Sequence, residues 1–373
     1  MFPSWKSLRP FLALAAESWL SSDVIFAAAP PAYLHLADET RRQRGLMLER
    51  LGFSPRSTPS RTVGSGRAAD LLAYQAADRR PALLIVPAPI KAAYIWDLAP
   101  DCSAVRRLMS AGLQVYMARW RHPRAGDEAW GLEDYADGMI DACLEAIRAE
   151  TRHGSVFLAG HSLGGTLAAI FASLHALRVR GLVALEAPIE FGSGRLEAVL
   201  ALTPDAPVLA AAFGNLPGTL LDWASAHGDP MEFSVGPWLD WAKSMRTARL
   251  RRLHWQVRRW SLDEAPMARR LFEQVAELLY RRNSFTARRL RVGGRLADPQ
   301  AIEAPILAVR DPRSRLVPPS SVEAYRSRTG STDVQLVDYC GDTGVVLQHV
   351  GVLVGGRAHA EVWPRVAAWL NRR

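Results

Sequence analysis

The sequence predicts an α/β protein: a mostly parallel central sheet flanked by helices, with an inserted helical lid. Three observations carry this. Short apolar runs closed by Gly or Pro alternate with stretches of helical spacing; residues 193–300 break that rhythm; and the segment Gly160-His161-Ser162-Leu163-Gly164 falls between an apolar run and a small-residue helix. A chain of 373 residues suits one large domain carrying an insertion.

Taken in order, residues 1–60 read as an N-terminal helical extension that ends in the turn-forming Ser54-Pro55-Arg56-Ser57-Thr58-Pro59-Ser60. Lys6 and Arg9 precede the apolar Phe11–Ala16, which resembles the start of a secretion signal, but Glu17 interrupts the run. A signal needs about 7–15 apolar residues, so an amphipathic helix is expected instead. Residues 61–192 form the first part of the core. Residues 70–76 are an early strand, and Ala82-Leu83-Leu84-Ile85-Val86, closed by Pro87 and Pro89, is a buried one. A helix at 102–111 leads to a strand at 113–118. A helical stretch at 132–150 leads to a strand at 155–160, a helix at 166–177 and a strand at 181–185. The lid, 193–300, holds no convincing strand. Its Trp223, Trp238, Trp241, Trp255 and Trp260 either line a cleft or pack the lid onto the core. Residues 301–373 complete the core with strands at 306–309 and 334–337.

Composition is that of a globular protein, with 49% hydrophobic and 22% charged residues. No run of about 18 apolar residues predicts an integral membrane span. The net charge is +9, yet lysine occurs only at Lys6, Lys91 and Lys243. Arginine therefore supplies the excess, as GC-rich coding would, and no nucleic-acid partner is inferred from it. Cys102, Cys143 and Cys340 are odd in number and far apart, which predicts neither a disulfide framework nor a zinc site and fits a cytoplasmic protein.

The chemistry centres on Ser162. In a G-x-S-x-G segment between strand and helix, the serine rides a sharp turn that exposes Oγ, and the flanking glycines let the turn close. The Leu163 N–H at the helix start then faces a developing oxyanion. A serine hydroxyl needs a base at neutral pH. In the α/β-hydrolase fold the base follows the last strand, and His349 stands there, whereas His227 and His254 lie in the lid and His359 is expected on a helix surface. The acid is less determined. Asp311, in the loop after the strand at 306–309, is the first candidate, and Glu186, just past the strand at 181–185, is the second. The second oxyanion donor comes from the loop after 82–86. Pro87 and Pro89 have no N–H, which leaves Ala88 and Ile90, with Ile90 preferred.

From about residue 46 onward the chain resembles the polyhydroxyalkanoate synthase family of α/β hydrolases. The likeness rests on Leu84-Ile85-Val86-Pro87 with Tyr94-Ile95-Trp96-Asp97-Leu98, on Trp120-Arg121-His122-Pro123 and Glu133-Asp134-Tyr135, and on the turn Gly160–Thr166. Trp260, Asp263, Pro266-Met267 and Leu279-Tyr280-Arg281-Arg282-Asn283 continue it through the lid. Leu316-Val317-Pro318-Pro319, His349-Val350-Gly351, Val362-Trp363-Pro364 and Trp369-Leu370 complete it. Two positions depart from the family. The synthases it resembles carry a cysteine nucleophile where this chain has Ser162, and their acid stands three residues before the Val-Pro-Pro, where this chain has Ser314.

The resemblance implies an acyl-serine enzyme acting on a hydroxyacyl ester or an acyl-CoA thioester. It implies no bound cofactor or metal, a possible polyester granule surface as partner, and a homodimer. Because a serine ester is lost to water more readily than a thiol ester is passed on, hydrolysis gains weight over polymerisation. The alternatives are a polymerising synthase and a non-catalytic granule-associated relative.

Overall fold

The computed structural model describes residues 31–75, 80–192, 194 and 205–373. The amphipathic segment expected near residues 6–17 lies outside them, as does most of the lid's first dozen residues. The strands are β1 (Arg61–Ser65), β2 (Ala69–Ala73), β3 (Ala82–Val86), β4 (Gln114–Trp120), β5 (Val156–His161), β6 (Val179–Leu185), β7 (Arg291–Val292), β8 (Arg295–Leu296), β9 (Ile306–Arg310) and β10 (Val334–Asp338). Eight of them form one sheet in the order β1-β2-β4-β3-β5-β6-β9-β10. β2 runs antiparallel to β1 and β4, and the remaining neighbours are parallel. β7 and β8 pair as a minimal hairpin inside the stretch expected to lack strands.

Successive strand side chains point to opposite faces, so a sheet covered on both sides must be apolar at every position. Leu83, Ile85, Phe157, Val183 and Leu307 accordingly enter one core cluster, while Leu84, Val86, Leu158, Leu182 and Ala308 enter the other. Helices Met139–Thr151 and Leu163–Leu174 cover the second face; Ala104–Ser110, Gln348–Val354 and Trp363–Asn371 cover the first. β1 was not foreseen. It is an edge strand with mostly exposed side chains and a register shift between Thr62 and Gly64, so it shows neither an apolar run nor clean alternation.

The lid includes helices Ala206–Ala211, Gly218–Gly228, Gly236–Ser244, Ala248–Ser261 and Arg269–Gln274. Trp260 packs it onto the core, its indole N–H donating to Ala92 O at 2.7 Å. Helix Pro31–Leu48 is docked on this lid, against helices Gly218–Gly228 and Ala248–Ser261. Its Asp38 carboxylate accepts the N–H groups of Gly218 and Thr219 at 3.1 and 2.7 Å, satisfying first-turn amides that have no partner within their own helix. His359, expected on a surface, is buried. Its turn faces helix Ala104–Ser110, with Arg107 Nε donating to Nδ1 at 3.3 Å and Nε2 against Leu353 O at 2.9 Å. Among the described residues no helix is long and apolar enough to cross a membrane.

Candidate active site

Parallel pairing sets His161 beside Leu185 and Leu185 beside Val309. The residues that follow, Ser162 and Glu186, therefore emerge together at the carboxyl ends of adjacent strands, where parallel sheets place their ligands. Both have positive φ, 52° at Ser162 and 43° at Glu186. That region is sparsely populated for a residue with a Cβ and marks strain held by its surroundings. At Ser162 the holding bonds are visible. Its N–H donates to Leu185 O at 3.0 Å, and its carbonyl accepts from Gly165 and Thr166 N–H at 2.9 and 3.2 Å, carrying the chain directly into helix Leu163–Leu174.

The glycines of the turn are fixed by contact. A Cβ on Gly160 would lie 2.5 Å from the Gly165 Cα, one on Gly164 2.2 Å from Val86 O, and one on Gly165 2.3 Å from the Ala187 Cβ. The Gly164 contact also presses the helix start against backbone 86–88, the loop expected to supply the second oxyanion donor. That loop is pinned on both sides. Trp120 Nε1 donates to Pro87 O at 2.7 Å, and Trp260 holds Ala92. The position expected of a second donor thus stands beside the Leu163 end of the helix. The Ala88 nitrogen is 2.8 Å from the Gly164 Cβ position, while Ile90 is half-buried against the core.

His349 lies at the start of helix Gln348–Val354, after the β10 loop, and its Nδ1 is 3.1 Å from Glu186 Oε2. Of the two candidate acids it is Glu186, the second, that bonds the imidazole; Asp311, the first, does not. Asp311 instead accepts from Arg313, at its N–H (2.9 Å) and at Nε (3.3 Å). The register explains the difference, because Glu186 leaves β6 immediately beside Ser162 whereas Asp311 leaves β9, one strand farther out. His161 ties His349 to the Ser162 turn: its Nε2 is 2.8 Å from His349 O, and the two rings are 4.4 Å apart. No hydrogen bond joins Ser162 Oγ to His349 among the described residues, a slack common in unliganded sites.

Burial acts on both partners. It pushes the His349 imidazole down to about 4. It pushes the Glu186 carboxyl well above the usual carboxylate range, with Asp311 adding repulsion. Glu186 Oε1 is buried without a hydrogen-bond partner.

Two lid carboxylates, which sequence reasoning missed, reach the 344–349 segment that carries His349. Glu232 Oε1 accepts the His349 N–H at 3.0 Å. Asp240 accepts the N–H groups of Gly344 and Val346 at 2.7 and 3.0 Å. Nothing local in the sequence marks either, since each acts more than a hundred residues away in the chain. Beneath this part of the lid a cavity of about 630 Å³ is lined by Glu186, Glu232, Lys243, Asp311, Arg315 and His349, among others. A second cavity, about 350 Å³, lies between Tyr94, Trp120 and His122.

The family described as alpha/beta hydrolase fold matches residues 81–342. The poly(3-hydroxyalkanoate) polymerase subunit PhaC of Allochromatium vinosum is 28% identical over 292 residues, covering 78% of this chain and 81% of that protein. The corresponding subunit of Haloferax mediterranei is 30% identical over 78% of this chain and 58% of its own length. In structure, the monoacylglycerol lipase of Paleococcus ferrophilus superposes with a TM-score of 0.54 over 81% of this chain and 98% of its own, at 16% identity, a likeness of fold. The chain belongs to the alpha/beta hydrolase fold family, as a member similar to the polyhydroxyalkanoate synthases.

Proposed function

We propose that this enzyme is a serine acyl hydrolase or acyltransferase that works on hydroxyacyl esters or thioesters through an acyl-serine intermediate. The observation that carries the reading is Ser162 on its positive-φ turn beside a His349–Glu186 hydrogen-bonded pair. Ser162 Oγ attacks the carbonyl carbon as its proton passes to His349 Nε2. The same proton goes to the departing alcohol or thiol, and the acyl group stays on Oγ until water or another hydroxyl takes it. Glu186, in the role expected of Asp311, holds the imidazole through Nδ1 and supports its charged form. The Leu163 amide and one from the loop after β3, Ile90 or the Ala88 amide beside Gly164, stabilise the oxyanion.

A polymerising activity is favoured by the similarity to PhaC subunits over 78% of the chain, and opposed by the serine nucleophile. An acyl-CoA substrate, a granule surface and a second copy of the chain are the partners this reading predicts, in a cytoplasmic setting. A fluorophosphonate probe is expected to label the protein and to fail on Ser162→Ala; absence of labelling at every pH overturns the proposal. With hydroxybutyryl-CoA, free CoA without polymer marks hydrolysis, and CoA with polymer marks transfer.

A further inference from the structure

We propose that Asp240 and Glu232 are positioning residues through which the lid holds the catalytic base in place. The inference rests on the reading of His349 as that base. Three separate contacts join the lid to the 344–349 segment. The buried Asp240 carboxylate accepts Gly344 N–H at 2.7 Å through Oδ1 and Val346 N–H at 3.0 Å through Oδ2. His254, also buried and on helix Ala248–Ser261, places Nδ1 2.7 Å from Oδ2 and fixes the carboxylate from behind. Glu232 then accepts the N–H of His349 itself at 3.0 Å.

The third contact is steric. A Cβ on Gly344, whose φ is +85°, would lie 3.0 Å from Leu250 O, so the loop is seated directly on the lid backbone. The loop is also strained. Val346 holds φ at 62°, a region that a β-branched side chain disfavours by more than most. Such a conformation persists only where its surroundings impose it. Two bonds restrain Val346: the local one from Leu347 N–H to Val345 O at 2.6 Å, and the Asp240 bond at its own N–H, the one the lid supplies. A lid that shifts away removes the acceptors of three backbone N–H groups and releases the strain, and His349 leaves Glu186 and Ser162. A lid in place assembles the base. His349 is faced by His161 from β5, Glu186 from the end of β6 and Glu232 from the lid, with Asp311 behind Glu186.

The test reads the base directly, apart from activity. The His349 imidazole is titrated by NMR, its signal assigned by loss in His349→Gln, in the wild type, in Asp240→Asn and in Glu232→Ala. Asparagine keeps the shape of Asp240 but aims an N–H₂ at one of its donors. In the wild type the buried ring is expected to titrate far below its ordinary value, at about 4. In Asp240→Asn it is expected to rise toward about 6.5, the value of an exposed histidine, and fluorophosphonate labelling of Ser162 is expected to slow by about 100-fold, the effect of a displacement near 1 Å. A folded Asp240→Asn whose His349 titrates as in the wild type overturns the proposal. Glu232 is half-buried, less enclosed than Asp240, so if Asp240→Asn does not fold, Glu232→Ala is judged by the same criterion. If wild-type Ser162 does not label, the proposed function fails, while the titration still decides this inference.

Discussion

Glu186 and Asp311 leave neighbouring strands, and both are buried, so one carboxyl raises the other's affinity for a proton. The direction has a kinetic consequence. A protonated Glu186 donates to His349 Nδ1 and leaves the proton of the neutral ring on Nε2, where no base is then available to Ser162. Labelling of Ser162 is therefore expected to rise with pH as Glu186 ionises, at a pH above the ordinary carboxylate value of about 4.3. Asp311→Asn removes a negative neighbour, favours the ionised form of Glu186, and should move that rise to lower pH without changing the plateau. Glu186→Gln should lower the plateau itself by about 10³–10⁴-fold, the scale of fixing the wrong imidazole tautomer. A pH profile of labelling for the three proteins checks both. A plateau lost in Asp311→Asn and kept in Glu186→Gln reverses the assignment. From the sequence, both carboxyls were legible as candidates because both follow apolar strands. Their order was not, because it depends on which strand lies next to β5, and strand order leaves no local trace.

At the scale of elements, the turn around Ser162 was the most legible part of the chain. Its strand, its glycines and its helix are contiguous in sequence, and local sterics decide their geometry. The apolar runs at 82–86, 155–160 and 306–309 were legible for the same reason, each being buried on both faces. β1 and the His359 turn were not, since an edge strand and a helix packed on one side depend on what the chain brings over them. The turn's rigidity gives a sharp expectation. Gly164→Ala drives a Cβ to 2.2 Å from Val86 O, a backbone atom in the sheet, so the helix or the loop after β3 must move. Loss of labelling is expected together with a fall in melting temperature. Trp260→Phe, by contrast, removes one bond to Ala92 O and keeps most of the packing, so a cost of about 1 kcal/mol is expected. Thermal melts of the two variants separate the cases, and equal shifts would mean that the glycine contact is relieved cheaply.

Across the whole molecule, one ionic cluster joins the N-terminal helix, the loop after β3 and the lid. Arg41 Nε meets Glu264 Oε1 at 2.7 Å, and its Nη2 meets Asp222. Lys91 Nζ meets Glu264 Oε2 at 2.8 Å and Asp222 Oδ1 at 3.1 Å. The Glu264 side chain has no exposure at all. A charge so placed is tolerable only with its partners present; removing Arg41 leaves Glu264 and Asp222 to share Lys91 alone, a partial loss of compensation worth about 1–3 kcal/mol, below the cost of a wholly uncompensated buried charge. Arg41→Ala is therefore expected to destabilise the protein on that scale, and to do so with little dependence on salt, because a buried pair is weakly screened. Arg61 offers the comparison. It also makes a two-pronged bond to a carboxylate, Glu150, at 2.7 and 3.0 Å, but its side chain is 48% exposed. Exposed pairs contribute about 0–1 kcal/mol and fade in salt, so Arg61→Ala should barely shift the denaturation midpoint. Urea titrations of both variants at low and high salt distinguish burial from geometry as the source of the cluster's strength. Equal and small effects would show that the N-terminal helix rests on the lid without securing it. A large, salt-resistant loss in Arg41→Ala alone would establish that the buried cluster secures this helix to the lid and to the loop beside the Ser162 turn.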